Sequence, residues 1–176
     1  MVVGNFVGRT LRIASDDFSS VVVHQDQVYA ADSSKNQTQV FRYNDTSSLK
    51  FTNIRSIDHD FEKKGSFLTL SVSNNQLKCC SLGDATIKVY SLSGELLQTY
   101  GTSGVGDAGQ FICSDDDDGS VLITDNERLQ VMSEQGEFSV LQLQPPVPGL
   151  CSAVLFNNNL YVTSSAYNNT IYKYSC

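Results

Sequence analysis

Three stretches of this chain carry residue types and spacings that could do chemistry. Gly104-Val105-Gly106-Asp107-Ala108-Gly109 is a literal G-x-G-x-x-G, with Asp125 sixteen residues beyond it. Glycines in that pattern let a backbone approach a pyrophosphate, provided that a strand precedes them and a helix N-terminus follows. Here QFICSDDDDGS follows, a strand and a hairpin, so the glycines read as a connecting loop. Asp115 to Asp118, followed by Gly119, resembles the opening of a calcium loop. Such a loop needs spaced oxygen ligands and a distal bidentate Glu. Successive side chains of a strand point to opposite faces, and Asp118-Gly119 fits a hairpin turn, so a solvated turn is expected, with weak calcium binding as the sharper alternative. Asp58-His59-Asp60 could orient a general base. No nucleophile motif and no G-x-S-x-G accompanies it, and a flexible polar loop is expected there. With two histidines in the whole chain, three converging metal ligands are not in view. No cofactor, no metal and no catalytic residue is therefore assigned.

Size and composition bound the remaining choices. A chain of 176 residues is one domain or part of one. Apolar residues make up 40%, enough for a core, and no apolar run approaches the roughly 18 residues of a membrane span. MVVGNFVGRT has no charged segment before a long apolar one, so no secretory signal and no membrane partner is expected. Five cysteines without regular spacing, two of them the neighbours Cys79 and Cys80, point to reduced thiols in a cytoplasmic protein. Asn36, Asn44 and Asn168 each open a glycosylation sequon, a pattern that chance supplies in a chain rich in Asn, Ser and Thr. The net charge of −7 opposes non-specific nucleic-acid binding, which depends on Lys and Arg neutralising phosphates. A local basic patch would still be compatible with it. The cations to watch are Lys35, Arg42, Arg55, Lys63, Lys64 and Arg128.

The elements that must position these residues recur along the chain. TQVFRYN, TIKVYSL, RLQVMSE and TIYKYSC align Val40, Val89, Val131 and Lys173 in one column, at a period of about 42–49 residues. QVYAAD, QLKCCS, SVLITD and NLYVTS form a second series, and SSVVVHQ, FLTLSVS, QFICSDD and CSAVLFN a first. Gln25-Asp26, Asn74-Asn75, Asp118-Gly119 and Asn157-Asn158-Asn159 separate first from second strands, residue types that tolerate the positive φ of tight hairpins. Fourth strands follow as SLKFTNIRSI, ELLQTYG and FSVLQLQ, and the fourth repeat has none. Val, Ile, Tyr, Phe and Thr dominate these runs, and no helical period persists over ten residues. The three prolines cluster in PPVPG, between repeats three and four, where no ladder donor is needed. A four-stranded unit repeated at this period predicts an all-β chain of β-propeller blades.

The run GVGDAGQF…DDDGSVLITDNERLQVMSEQGEF resembles an NHL repeat through Gly109, Gln110 and Phe111, Asp118 and Gly119, Asp125 and Asn126, Arg128, Gln130 and Val131, and Gly136. Repeat two matches through KVYSLSGELLQTYG and repeat one through VYAAD and QVFRY. The resemblance implies a propeller of about four NHL-like blades over residues 19–176, as a partial or small ring. Residues 1–18 hold a further strand, RTLRIAS, which would close the ring if it completed blade four. An incomplete arc is favoured, and an arc would allow oligomers.

The NHL propeller of tripartite-motif proteins is the C-terminal recognition module of a ubiquitin ligase. No CxxC pair or Cys/His zinc spacing occurs in this sequence, so no RING or B-box is present in it. What the resemblance implies is a non-enzymatic interaction module for a protein partner, with RNA binding as the alternative and an NHL-like lyase or hydrolase as the weaker one. Recognition belongs on the loops joining second to third strands and on those between blades, which share one face. Lys35, Lys63, Lys64, Asn126, Tyr167 and Asn168 lie on those loops and Arg128 directly follows one of them; these are the candidate partner-binding residues.

Overall fold

The computed structural model describes residues 18–45, 50–62, 68–81, 84, 86–101, 111–114, 119–124, 128–166 and 170–175. The strand expected over residues 9–15, the glycine run 104–109 and the acidic run 115–118 lie outside the described residues. Each sequence repeat folds as an antiparallel meander. Blade one is β1 (Phe18–His24), β2 (Gln27–Asp32), β3 (Gln37–Asp45) and β4 (Lys50–Asp58). Blade two is β5 (Leu68–Ser73), β6 (Gln76–Ser81), β7 (Thr86–Ser91) and β8 (Leu96–Gly101). Blade three is β9 (Phe111–Ser114), β10 (Val121–Thr124), β11 (Leu129–Met132) and β12 (Phe138–Leu141). Blade four has three described strands, β13 (Leu150–Phe156), β14 (Asn159–Ser164) and β15 (Thr170–Ser175). No helix of the described residues is long and apolar enough to cross a membrane.

The turns follow from local chemistry. Gln25, Asn74, Asn75, Asn157 and Asn158 hold φ between 49° and 56°, and Gly119 holds 73°. These are the left-handed values that two-residue hairpins require and that Asn and Gly adopt at least cost. The third and fourth strands of blades two and three are joined by matching loops. Ser91 N donates to Glu95 O and Ser133 N to Glu137 O, while each serine Oγ accepts from the same glutamate's amide.

The blades stand side by side, their first strands innermost, with close packing passing from β1 to β5, from β5 to β9 and from β9 to β13. The core is therefore three slabs between blades, each fed by strands buried on both faces. Tyr29, Ala31, Val40 and Ile57 of blade one pack on Leu70, Val72, Leu77, Cys79 and Tyr90 of blade two. Cys80 and Ile87 meet Val121, Ile123 and Met132 of blade three. Leu122, Leu129 and Val131 meet Ala153, Leu160 and Val162 of blade four. Each fully buried Leu, Ile or Val contributes about 1.5–3 kcal/mol by leaving water. Cys79 and Cys80 enter different slabs because neighbours on a strand face opposite ways, so they do not approach each other as a disulfide.

Candidate interaction face

The turns between second and third strands and the connections between blades meet on one face and are hydrogen-bonded to each other. At the junction of blades one and two, Asn36 sits at φ 56° and is buried. Its Nδ2 donates to the carbonyls of His59 (2.7 Å) and Phe61 (3.3 Å), and its own carbonyl accepts from His59 N at 2.9 Å. Across the same junction, Glu62 N donates to Asp84 Oδ2 at 2.9 Å. At the junction of blades three and four, Ser165 N donates to Gly149 O at 2.8 Å, and Tyr174 Oη donates to Pro145 O at 2.7 Å. Gly149 holds φ 60°, and a Cβ there would lie 2.9 Å from Ala166 N, so the PPVPG connection closes on blade four only with glycine.

Asp58-His59-Asp60 corrects an expectation. It is not a solvated flexible loop at its centre: His59 is buried. Its Nε2 shares a 2.7 Å hydrogen bond with Thr38 Oγ1 and lies 3.6 Å from Cys79 Sγ. Its ring sits 4.9 Å from that of Tyr90 and 5.8 Å from that of Phe61. Lys88 Nζ donates to the carbonyl of Asp60 and lies over the Phe61 ring at 4.8 Å. Burial, then the nearby Lys88 charge, lowers the His59 pKa to about 4, against a smaller opposite pull from Asp58. Burial also raises the Cys79 thiol well above its usual range and pushes Cys80 up to about 12. A neutral imidazole beside a protonated, fully buried thiol is not a nucleophile–base pair. It is a polar plug holding the inter-blade connection in the first slab.

Lys35, a candidate partner-binding residue, is half consumed by the scaffold. The Asp32 side chain is fully buried and accepts from Ser34 Oγ (2.7 Å), Lys35 N (3.2 Å), Lys35 Nζ (2.7 Å) and Gln39 Nε2 (2.9 Å). Burial alone would raise the Asp32 pKa, but the hydrogen bonds from Lys35 and Ser34 outweigh it and hold the carboxyl below its ordinary value. The strand-ending Asp of repeat one is thus the anchor of the next turn. Arg128 is half-buried and borders a small cavity of about 130 Å³, shared with Leu129, Leu141, Leu143, Pro146 and Val147. Lys35 stands on blade one and Arg128 at the edge of blade three, so the fold does not join them in one patch. Lys63, Lys64, Asn126, Tyr167 and Asn168 lie outside the described residues. The residues that sequence reasoning missed are Asn36, Thr38, Cys79 and Lys88. The alternation of His59 with Phe61, two residues apart, was the available signal that one side of this segment turns inward. Among the described residues, no group of three His, Cys, Asp or Glu is placed to hold a metal.

No family model matches the chain, and no curated protein sequence matches it. Solved structures do match, as folds. Virginiamycin B lyase from Staphylococcus aureus is similar at 15% identity and a TM-score of 0.61, over 95% of this chain and 58% of that one. Kuenenia stuttgartiensis hydrazine synthase is similar at 11% identity and a TM-score of 0.69, over 98% and 49%. Myxococcus xanthus glutaminyl cyclase is similar at 14% identity and a TM-score of 0.58, over 85% and 62%. These neighbours are β-propeller proteins, and the fold of this chain is a β-propeller arc. The chain spans between 49% and 62% of their lengths.

Proposed function

We propose that this chain is a recognition module rather than an enzyme, and that it holds a protein partner on the face where turns and inter-blade connections meet. The observation that carries the reading is the state of the ionisable groups there. His59, Cys79 and Cys80 are buried and held uncharged, and Asp32 and Lys35 bind each other. What the face offers to solvent is a rigid relief of loops, indented by the Arg128 cavity described above. At about 130 Å³ that cavity falls below the roughly 300–1,000 Å³ of small-molecule sites and suits a single side chain of a docking segment. The NHL-like spacing of repeat three supports the same reading, and by that resemblance the partner is a substrate or adaptor of a cytoplasmic ubiquitin-ligase pathway.

The test is co-purification of the wild-type chain and of Arg128→Glu from cell extract, followed by identification of bound proteins. A defined protein retained by wild type and lost with Arg128→Glu is the expected result. Retention on single-stranded RNA at physiological salt, lost with the same substitution, would replace the reading with RNA recognition. Turnover of a substrate by the purified chain would replace it with catalysis.

A further inference from the structure

The fourth strands β4, β8 and β12 lie at the outer rim, and among the described strands each pairs only with the third strand of its own blade. They differ in how that edge is guarded. Sheets blunt an exposed edge with bulges and charges, because its free N–H and C=O groups invite another strand. The β3–β4 ladder is broken by two register shifts, and β4 carries Arg55 and Asp58. The β7–β8 ladder is broken by one shift. The β11–β12 ladder runs without a shift, and β12 has no charged residue. All four residues of β12 are exposed, Phe138 at 36%, Val140 at 46% and Leu141 at 38% among them.

The turn before β12 sets which backbone groups point outward. Ser133 N donates to Glu137 O, so these two residues are a hydrogen-bonded pair. In an antiparallel ladder such pairs alternate with pairs that exchange no hydrogen bond. Counted along the register, Ser139 and Leu141 turn their backbone groups to β11, while Phe138 and Val140 turn theirs to the rim. Leu141 and its cross-strand neighbour Leu129 line the cavity of about 130 Å³. A strand laid against β12 would hydrogen-bond to Phe138 and Val140, and its residue opposite Leu141 would stand beside that cavity on the same face. The edge is also polarised. Glu134 and Glu137 are exposed at its Phe138 end, and Arg128 lines the cavity at its Leu141 end.

We propose that β12 takes an extended peptide of a protein partner as a fifth strand of blade three, antiparallel to it, with one apolar side chain in the Arg128 cavity. This mode of binding rests on the recognition reading above and specifies how the partner is held. Length selects the occupant. At 3.4 Å per residue, the edge from Phe138 to Leu141 spans roughly 14 Å. A second folded copy needs on the order of 800 Å² per partner for a stable interface, more than so short an edge supplies, whereas an extended peptide needs only the edge and a side-chain pocket. Charge selects the segment. An acidic residue at its N-terminal end meets Arg128, a basic one at its C-terminal end meets Glu137, and apolar residues between them cover Val140 and Phe138.

The probe is the peptide acetyl-Asp-Leu-Val-Thr-Val-Lys-amide, whose Leu falls opposite Leu141 and whose two Val fall opposite Val140 and Phe138. In the purified full chain, hydrogen exchange followed by NMR should show fast exchange of the Phe138 and Val140 amides and protection of those of Ser139 and Leu141. Saturating peptide should slow the exchange of Phe138 and Val140. N-methylation of both Val residues of the peptide, or Val140→Pro in the chain, should weaken binding by about tenfold or more, through loss of the shared hydrogen bonds. Val140→Pro removes an N–H that β11 does not use, so the circular dichroism spectrum should stay unchanged. Equal binding of the N-methylated peptide, no binding at millimolar concentration, or a protected Val140 amide in the free chain would each overturn the proposal. A dimer of the chain abolished by Val140→Pro would give the edge to a second copy and overturn it as well. From cell extract, a protein lost with both Arg128→Glu and Val140→Pro is the expected result. One lost with Arg128→Glu but retained with Val140→Pro would leave the recognition reading standing and overturn strand addition alone.

Discussion

Acidification should loosen the junction of blades one and two through one residue, His59. In the folded chain this imidazole is buried against Tyr90, Phe61 and Cys79, with Lys88 nearby, and its pKa is lowered to about 4 from an ordinary 6.5. The unfolded chain takes up the proton first. The stabilising effect of keeping His59 neutral is therefore fully present above pH 6.5, declines as pH falls below it, and is exhausted near pH 4. At about 1.4 kcal/mol per pH unit of separation, the loss across that window is about 3 kcal/mol. With a urea slope of about 2 kcal/mol/M, typical of domains this size, the midpoint should drop by about 1.5 M between pH 7 and pH 4. The chain has eight tyrosines and no tryptophan, so tyrosine fluorescence reports the transition. His59→Phe should flatten the decline, leaving only the carboxylate contribution at the acid end. In a His24→Gln background, the single remaining imidazole should show no proton uptake by NMR above about pH 5. A His59 signal titrating near 6.5 in the folded chain, or an acid decline unchanged by His59→Phe, would refute the reasoning.

Three further outcomes follow from the same contacts. Asn36→Ala removes the buried donor to His59 O and Phe61 O and leaves both carbonyls wanting, so it should cost about 1–3 kcal/mol in urea unfolding. Asp32→Ala should cost more than Lys35→Ala. The first strands four donated hydrogen bonds around a buried site, while the second removes a half-exposed ion pair worth about 0.2–1 kcal/mol. Equal costs would show that the turn does not hang on Asp32. Gly149→Ala forces a side chain into a left-handed φ and against Ala166 N, and should lower the midpoint by more than 1 kcal/mol equivalent, about the scale of an incompatible Gly→Ala change.

The repeat, the strands and their turns were legible because each rests on local chemistry. A period of about 42 residues, β-branched runs and Asn or Gly at hairpins fix a meander whatever surrounds it. The free thiols were legible in part: adjacency argued against a Cys79–Cys80 bridge, and the fold adds that the two serve different slabs. The site was less legible. Asp58-His59-Asp60 reads as polar, and only packing of blade two on blade one turns the imidazole inward and draws the carbonyls around it onto Asn36. Asn36 itself read as the start of a sequon, yet its amide is buried in that contact. Lys35 read as a free cation, and the burial of Asp32 three residues earlier decides otherwise. Alternation along a strand shows which residues share a face, but not what that face meets. The sequence by itself determined four blades and their order. The tertiary structure decided that contacts run from blade one to blade four, and that Val21, Val23, Val154 and Phe156 are left facing outward, because stacking sheets is a long-range event no local pattern encodes.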